Sequence, residues 1–314
     1  MQSQEALKES YRVTTTRIAI DGGSFDMLLA QYLEYAECEL NYAKETLDTY
    51  EKALKRVKKY INQLDPRTFS MEDYFHMKSE MKKADLSANY VNVTISALRS
   101  FLIYCADIKK INLLINYKEM KKVKVPKREV IFLTEEERDK FTQAIKPDGI
   151  RGLRMRALVE FLLGTAMRIS EALAFDRDIE WQLKGEALII GKGDKQRAIY
   201  ITERALEWVK KYLATRKDNN PALFVTFGDN PKRLQRYDLS KSFHYYATLA
   251  GITDKKITPH IMRHTAATIL LQKGCPLPYI QELLGHSSIA VTAKYYLGTD
   301  KRSLKEAINK YLNY

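Results

Sequence analysis

The chain has 314 residues, enough for two domains, because single cores usually stop growing well before that length. Hydrophobic residues make up 45% and charged residues 29%, which provides material for real cores and excludes wholesale disorder. The formal net charge of +13, with a pI near 9.4, creates a field that attracts polyanions, nucleic acid above all, although ribosome-binding and membrane-surface proteins share this balance.

No unbroken run of about 18 apolar residues occurs, so no segment is expected to span a bilayer. The polar N-terminus, with both signs of charge, does not read as a secretory signal. Cys38, Cys105 and Cys275 are few, odd in number and far apart, which argues against a disulfide framework or a zinc knuckle and fits a reducing cytoplasm.

Residues 1–23 lack hydrophobic periodicity, include Thr14, Thr15 and Thr16, and are expected to form a flexible arm. Ser24 then reads as an N-cap before a helical stripe of Phe25, Leu28, Leu29, Tyr32, Leu33 and Ala36. A second stripe runs through Leu47, Tyr50, Leu54, Val57, Ile61 and Leu64, with Pro66 as its stop. Ser70, with Asp73 behind it, opens a third helix, and Val91, Ile95, Leu98, Leu102 and Cys105 mark a fourth. Residues 24–118 are therefore expected to be a compact helical unit with lysine-rich polar faces.

Residues 119–132 read as a basic linker, with Lys121, Lys122, Lys124 and Lys127 around Pro126 and little periodic apolar content. Such a linker could lie along a phosphate backbone, or it could be an exposed tether that touches nothing. Thr134 with Glu137 forms a capping box that announces a second domain over 133–314. A helix over Leu153 to Leu163 precedes Arg168, and another starts at Ile169. The apolar runs Ala187 to Ile190 and Ala198 to Ile201, around Gly191, Lys192, Gly193 and Asp194, then signal a β-hairpin. Helices resume at Glu203 and continue, with breaks, to the end. The expected fold is mainly α, with a small hairpin in an α+β second domain.

Five short segments carry the chemistry: GTAMRISEAL with Arg168 and Glu171, IIGKGDKQRAIYI with Lys192, TPHIMRHTAAT with His260 and Arg263, LLGHSS with His286, and VTAKYYL with Tyr295. In order and spacing they closely resemble the catalytic domain of the tyrosine recombinases, the integrase and Xer family. The similarity covers roughly Leu133 to Leu297, and the helical N-terminal unit resembles the family's SAM-like core-binding domain by position and pattern rather than by motif.

The resemblance implies an enzyme that cuts and rejoins double-stranded DNA at specific sites, as a tetramer on DNA. Planar, permanently charged Arg168 and Arg263 suit bidentate binding of a phosphate that gains negative charge. His260 can take or return a proton near neutral pH, and His286 can donate a hydrogen bond to the same phosphate. Lys192 would protonate the departing 5′ oxygen, and Tyr295 would be the nucleophile of a 3′-phosphotyrosyl bond, needing neither metal, cofactor nor ATP.

Alternatives stand beside several of these residues. Glu171 is either a helical partner of Arg168 or a support of the site by hydrogen bonding. Lys192, Lys195 and Arg197 are each candidate phosphate contacts, and the matched spacing favours Lys192 for catalysis and leaves Lys195 and Arg197 as DNA contacts. His260 and His264, four apart on one helix, could face a metal, but Ile261 stands where a metalloprotease needs Glu and no carboxylate or cysteine cluster completes a ligand set. His264 is then expected to be structural. Tyr295 and Tyr296 point about 100° apart on a helix, so only one can face the phosphate; nine residues from His286 to Tyr295 fit the family better.

Leu304, Ala307, Ile308, Tyr311 and Leu312 give the tail, about 300–314, one apolar helical face, which could dock on its own domain or in a neighbouring protomer. Two other functions share features of the chain: a type IB topoisomerase, which would relax any supercoiled plasmid, and an inactive architectural DNA-binding protein. The presence of every expected reactive side chain argues against the latter.

Overall fold

The computed structural model describes residues 24–61, 64–126, 130–177, 181, 184–190 and 196–285. The chain divides into two compact units, Met1–Lys127 and Arg128–Tyr314. The flexible arm expected over 1–23 and the tail helix lie outside the described residues.

The first unit is helical. Helix α1 (Phe25–Cys38) starts where the Ser24 hydroxyl accepts from the Met27 N–H, and buries Leu28, Leu29, Tyr32 and Ala36. Helix α2 (Lys44–Val57) ends nine residues before Pro66, so the periodic stripe outruns the helix. The N–H groups of Lys59 and Tyr60 turn back to the carbonyls of Arg56 and Val57 in tight i to i+3 turns, and Ile61 and Leu64 reach the core from outside the helix.

Helix α3 (Met71–Lys83) opens with the expected capping box of Ser70 and Asp73. Helix α4 (Ala88–Ile103), capped by Ser87, runs on into one π-turn, Tyr104–Ile108. The combined Ala88–Ile108 stretch is long and apolar enough on average to cross a membrane. Its Val91, Ile95, Leu98, Phe101, Leu102 and Cys105 are instead buried in the core of this unit, alongside Tyr32, Leu54 and Met77. Burying each large apolar side chain there contributes about 1.5–3 kcal/mol.

The stretch expected to begin the linker is attached to this unit. Met120 is buried, the Lys121 carbonyl accepts from Tyr74 Oη at 2.6 Å and Lys78 Nζ at 3.0 Å, and both backbone groups of Val123 bond the Asn92 side chain. The side chains of Lys121, Lys122 and Lys124 remain exposed, and Lys127 lies outside the described residues.

In the second unit Leu133 is fully buried and its N–H donates to Thr265 Oγ1 at 2.9 Å. Helix α5 (Glu135–Ala144) carries the expected capping box of Thr134 and Glu137, which Lys255 Nζ reinforces by reaching Glu137 Oε1 at 2.6 Å. Helix α6 (Ile150–Thr165) is the central strut, buried on almost every side. Its Arg156 and Glu160 are tolerated inside because they pair with each other at 2.8 Å and Glu160 also accepts from Arg204.

After α7 (Ile169–Ala174) come strands β1 (Glu186–Ile190) and β2 (Gln196–Tyr200), an antiparallel hairpin with Ile189 opposite Arg197 and Ala187 opposite Ile199. This is the hairpin expected from the alternating apolar runs, shifted by one or two residues. Helix α8 (Glu203–Leu213) packs along α6. Gly164 permits that approach, since a Cβ there would lie 2.3 Å from Thr202 Oγ1 and 3.0 Å from the Ala205 Cβ. A 3₁₀ turn, Arg236–Leu239, leads into α9 (Ser240–Leu249), which packs on α5. Helix α10 (Pro259–Gln272) crosses α6, and α11 (Leu277–Leu284) rests on α10 and touches β2. Phe141, Leu158, Phe161, Tyr212, Phe224 and Phe243 form the centre of the core.

Candidate active site

Of the residues expected to carry chemistry, Arg168, Glu171, Arg197, His260 and Arg263 are described; Lys192, Lys195, His286 and Tyr295 lie outside the described residues. Four segments bring the described ones together: the turn from α6 to α7, strand β2, helix α10 and the C-terminal end of α11.

The turn comes first. Helix α6 ends on Ala166 in the left-handed conformation, φ 51° and ψ 24°, with its N–H bonded to the Leu162 carbonyl. A residue with a Cβ resists that conformation by about 1–2 kcal/mol, so surrounding bonds must hold it. Thr165 Oγ1 accepts from the Met167 N–H at 3.3 Å, and the carbonyl of Ala166 accepts from Arg263 Nη1 at 3.0 Å. The chain then extends through Arg168, the N-cap of α7.

Arg168 and Glu171 are bonded twice. Glu171 Oε2 accepts from the Arg168 N–H at 2.8 Å and Oε1 accepts from Arg168 Nη1 at 2.9 Å. Arg197 adds a second guanidinium to the same carboxylate, with Nη1 at 3.1 Å from Oε1 and Nη2 at 2.8 Å from Oε2. Burial works to raise the Glu171 pKa, but the bonds from Arg197 and from the backbone and side chain of Arg168 outweigh it and hold the carboxyl below its ordinary value.

Arg197 departs from the expectation that it contacts DNA. Its side chain is only 9% exposed and its Nη atoms are bonded to Glu171, so the fork that would grip a phosphate is already occupied. A sequence reports charge, not burial, and Arg197 faces inward from the hairpin.

Arg263, on α10, is 2% exposed and donates to the carbonyls of Ala166 and Leu284. Helix α11 ends one residue later at Gly285, left-handed at φ 57°, whose carbonyl is reached by Arg168 Nη2 at 3.4 Å. Beneath, Ala166, Ala266, Ala267, Ile280 and Leu284 form a small apolar cluster that seats α11 on the turn. Both arginines thus hold the end of α11, and position 286 follows directly in the chain. The negative end of a helix favours this placement of cations.

His260 sits in the first turn of α10, exposed at the surface. Desolvation by its neighbours, then the positive charges of Arg263, Arg236 and Arg168, lower its pKa below the usual 6.5, so the ring is neutral at pH 7. The ring of His264 lies edge-on to it, with centroids 4.5 Å apart. Among the described residues no group of three or more His, Cys, Asp or Glu side chains is arranged to hold a metal ion.

Sequence reasoning missed two features here. Arg236, exposed on the 3₁₀ turn before α9, adds positive charge near His260 and carries no motif that would reveal it. The Gly285 turn was legible in principle, since a glycine straight after an apolar helical run is a standard C-terminal signal.

Comparison with known proteins agrees with this architecture. Residues 131–302 match the model of the phage integrase family, and residues 29–108 match the phage integrase N-terminal SAM-like domain. The chain is 31% identical to tyrosine recombinase XerD of Lacticaseibacillus casei over 282 residues, 85% of this chain and 92% of that protein. It is 33% identical to tyrosine recombinase XerA of Pyrococcus furiosus over 240 residues, 76% and 79% of the two chains. Among solved structures, the Tn1549 transposon integrase in complex with transposon right end DNA has the same fold, with a TM-score of 0.73 at 18% identity, covering 91% of this chain and 99% of that one. The match over most of the chain, joined to the motif residues gathered around the end of α11, identifies the protein as a member of the tyrosine recombinase family.

Proposed function

We propose that this chain is a site-specific recombinase that cleaves and rejoins double-stranded DNA through a 3′-phosphotyrosyl bond at Tyr295. The observation that carries the proposal is the convergence of Arg168 and Arg263, from α6–α7 and α10, on the end of α11 that leads in sequence to His286, with His260 within electrostatic reach of both arginines.

In this reading Arg168 binds a non-bridging oxygen of the scissile phosphate directly, and Arg263 joins it by exchanging one of its bonds to the Ala166 and Leu284 carbonyls, so that both stabilise the charge that builds there. Tyr295 Oη attacks phosphorus; the bond to the 5′ oxygen breaks and Lys192 supplies the proton that leaves with it. His260, neutral at pH 7, accepts the proton of the tyrosine hydroxyl. His286 donates a hydrogen bond to the phosphate. The phosphodiester energy is kept in the phosphotyrosine, so the 5′ hydroxyl of a partner strand can reverse the step without a metal, a cofactor or ATP.

Exposed Lys121, Lys122 and Lys124, with Lys127 and Lys195, supply contacts to the phosphate backbone. Identity to XerD across 92% of that protein supports an Xer-type enzyme; in this reading it works as a tetramer on paired sites in the cytoplasm.

A nicked suicide duplex that loses its short 5′-hydroxyl fragment on cleavage tests this. The unmodified chain accumulates a covalent DNA adduct, and Tyr295→Phe binds the duplex but forms none. An undiminished adduct with Tyr295→Phe contradicts the assignment, and relaxation of any supercoiled plasmid without exchange between sites would indicate a topoisomerase instead.

A further inference from the structure

Resting on the function proposed above, we infer that Arg197 is a positioning residue, which holds Glu171, and through it Arg168, at the phosphate site while seating the Gly285 turn that leads into His286.

Exposure separates the roles of the three charged groups. The side chain of Arg168 is 36% exposed, against 12% for Glu171 and 9% for Arg197. Of these three, only Arg168 can present a guanidinium edge to a phosphate. Among the described residues its outer nitrogen, Nη2, makes one long contact, 3.4 Å to the Gly285 carbonyl, which a phosphate oxygen can replace. Its other nitrogen, Nη1, and its backbone N–H are tied to Glu171.

The carboxylate in turn needs Arg197. One carboxylate facing one guanidinium would neutralise the charge that a phosphate requires. Two guanidiniums on one carboxylate leave the cluster with an excess positive charge. Arg197 takes both carboxylate oxygens end-on, through Nη1 and Nη2, a bidentate arrangement that leaves Arg168 aligned but incompletely neutralised.

Gly285 supplies the second contact. A Cβ at this position would stand 2.6 Å from Arg197 Nη1, 3.0 Å from Cζ and 3.1 Å from Cδ, so the Arg197 side chain occupies the space that a Cβ would need. Only a glycine combines that approach with a φ of 57°. Arg197 therefore fastens strand β2 to the N-terminus of α7 and packs against the Gly285 cap of α11. In the sequence Lys192 precedes Arg197 by five positions and His286 follows Gly285 directly, so in the proposed reaction Arg197 links the segments that lead to proton donor, phosphate clamp and histidine.

The test measures single-turnover cleavage of the suicide duplex by the full chain, alongside DNA binding by gel shift and folding by circular dichroism. Arg197→Met should slow cleavage by about 10- to 100-fold, the worth of a charged hydrogen-bond pair, while the half-saturating DNA concentration moves less than about threefold. Arg197→Lys, which keeps the charge and loses the fork, should recover little. Adding Glu171→Gln to Arg197→Met should restore part of the rate, because the carboxylate no longer over-neutralises Arg168; a merely structural role predicts no gain. Gly285→Ala, which pushes on Arg197 from the other side, should slow cleavage and add little when combined with Arg197→Met.

Cleavage at the unmodified rate by Arg197→Met overturns the inference, as does a loss that Glu171→Gln does not relieve. If Arg197→Met does not fold, Arg197→Lys and Gly285→Ala decide, and unmodified rates in both overturn it. A wild-type chain that forms no Tyr295-dependent adduct would instead sink the proposed function itself.

Discussion

Arg263 Nη1 donates to the carbonyl of Ala166 across 97 positions of sequence, so the buried guanidinium of α10 fixes the left-handed residue that turns the chain toward Arg168. The same side chain, through Nη2, holds the last carbonyl of α11. Arg263 is therefore both a structural bolt and, in the proposed reaction, half of the phosphate clamp.

Arg263→Ala should fail in both respects. Two buried carbonyls lose their donor, which costs about 1–3 kcal/mol each at most, and cleavage falls by at least about a hundredfold. Urea unfolding and suicide-substrate cleavage check the two effects separately. Stability unchanged within about 0.5 kcal/mol would contradict the structural role.

His260 titrates below 6.5 because desolvation and three guanidiniums oppose its protonation. Cleavage that relies on its neutral form should hold through neutral pH and fall as pH drops through this lowered value. Because the folded-state pKa is depressed, the associated stability is likewise present above 6.5 and lost on acidification. Arg236→Ala should move the midpoint upward, toward 6.5, in an NMR titration of the imidazole. A midpoint above 6.5 in the unmodified protein, or no movement with Arg236→Ala, would contradict the account.

Glu160 is the acceptor for two arginines, one buried and one largely exposed. Glu160→Ala strands the buried Arg156 and should cost about 3–5 kcal/mol, whereas Arg204→Ala removes a 60% exposed partner and should cost less than about 1 kcal/mol. Thermal or urea melts of the two variants distinguish these losses; equal costs would show that Arg156 is not the stranded charge.

Lys121, Lys122 and Lys124 project into solvent from a backbone bonded to α3 and α4. Replacing all three by Gln should leave the fold untouched and reduce the slope of log affinity against log salt by about one unit for each phosphate that is no longer neutralised. A fluorescence anisotropy series across salt concentrations measures this. An unchanged slope would mean that this stretch runs clear of the duplex.

Much of this architecture was legible in the sequence where local chemistry alone decides. The Ser70–Asp73 and Thr134–Glu137 capping boxes form as their spacing dictates, and the hairpin forms where the hydrophobic period changes from helical to alternating. Legibility ended where tertiary packing decides. Nothing local distinguishes Ile61 and Leu64 on a loop from the same residues on a longer helix, because both arrangements bury them. Arg197 stands in a basic run that reads as a surface, yet a carboxylate 26 positions upstream draws it inward. Motif spacing identified Arg168, Glu171, His260 and Arg263 as partners, while the bond from Arg263 to Ala166 and the seating of Gly285 depend on how α10 and α11 meet the turn.

The most direct measurement is peptide mass spectrometry of the adduct trapped on a suicide duplex. The DNA remnant should be found on Tyr295 as a 3′-phosphotyrosyl ester, and should disappear when Arg168 or Arg263 is replaced by Ala. A remnant on Tyr296 or another residue, a 5′ linkage, or an adduct that persists without both arginines would contradict the account.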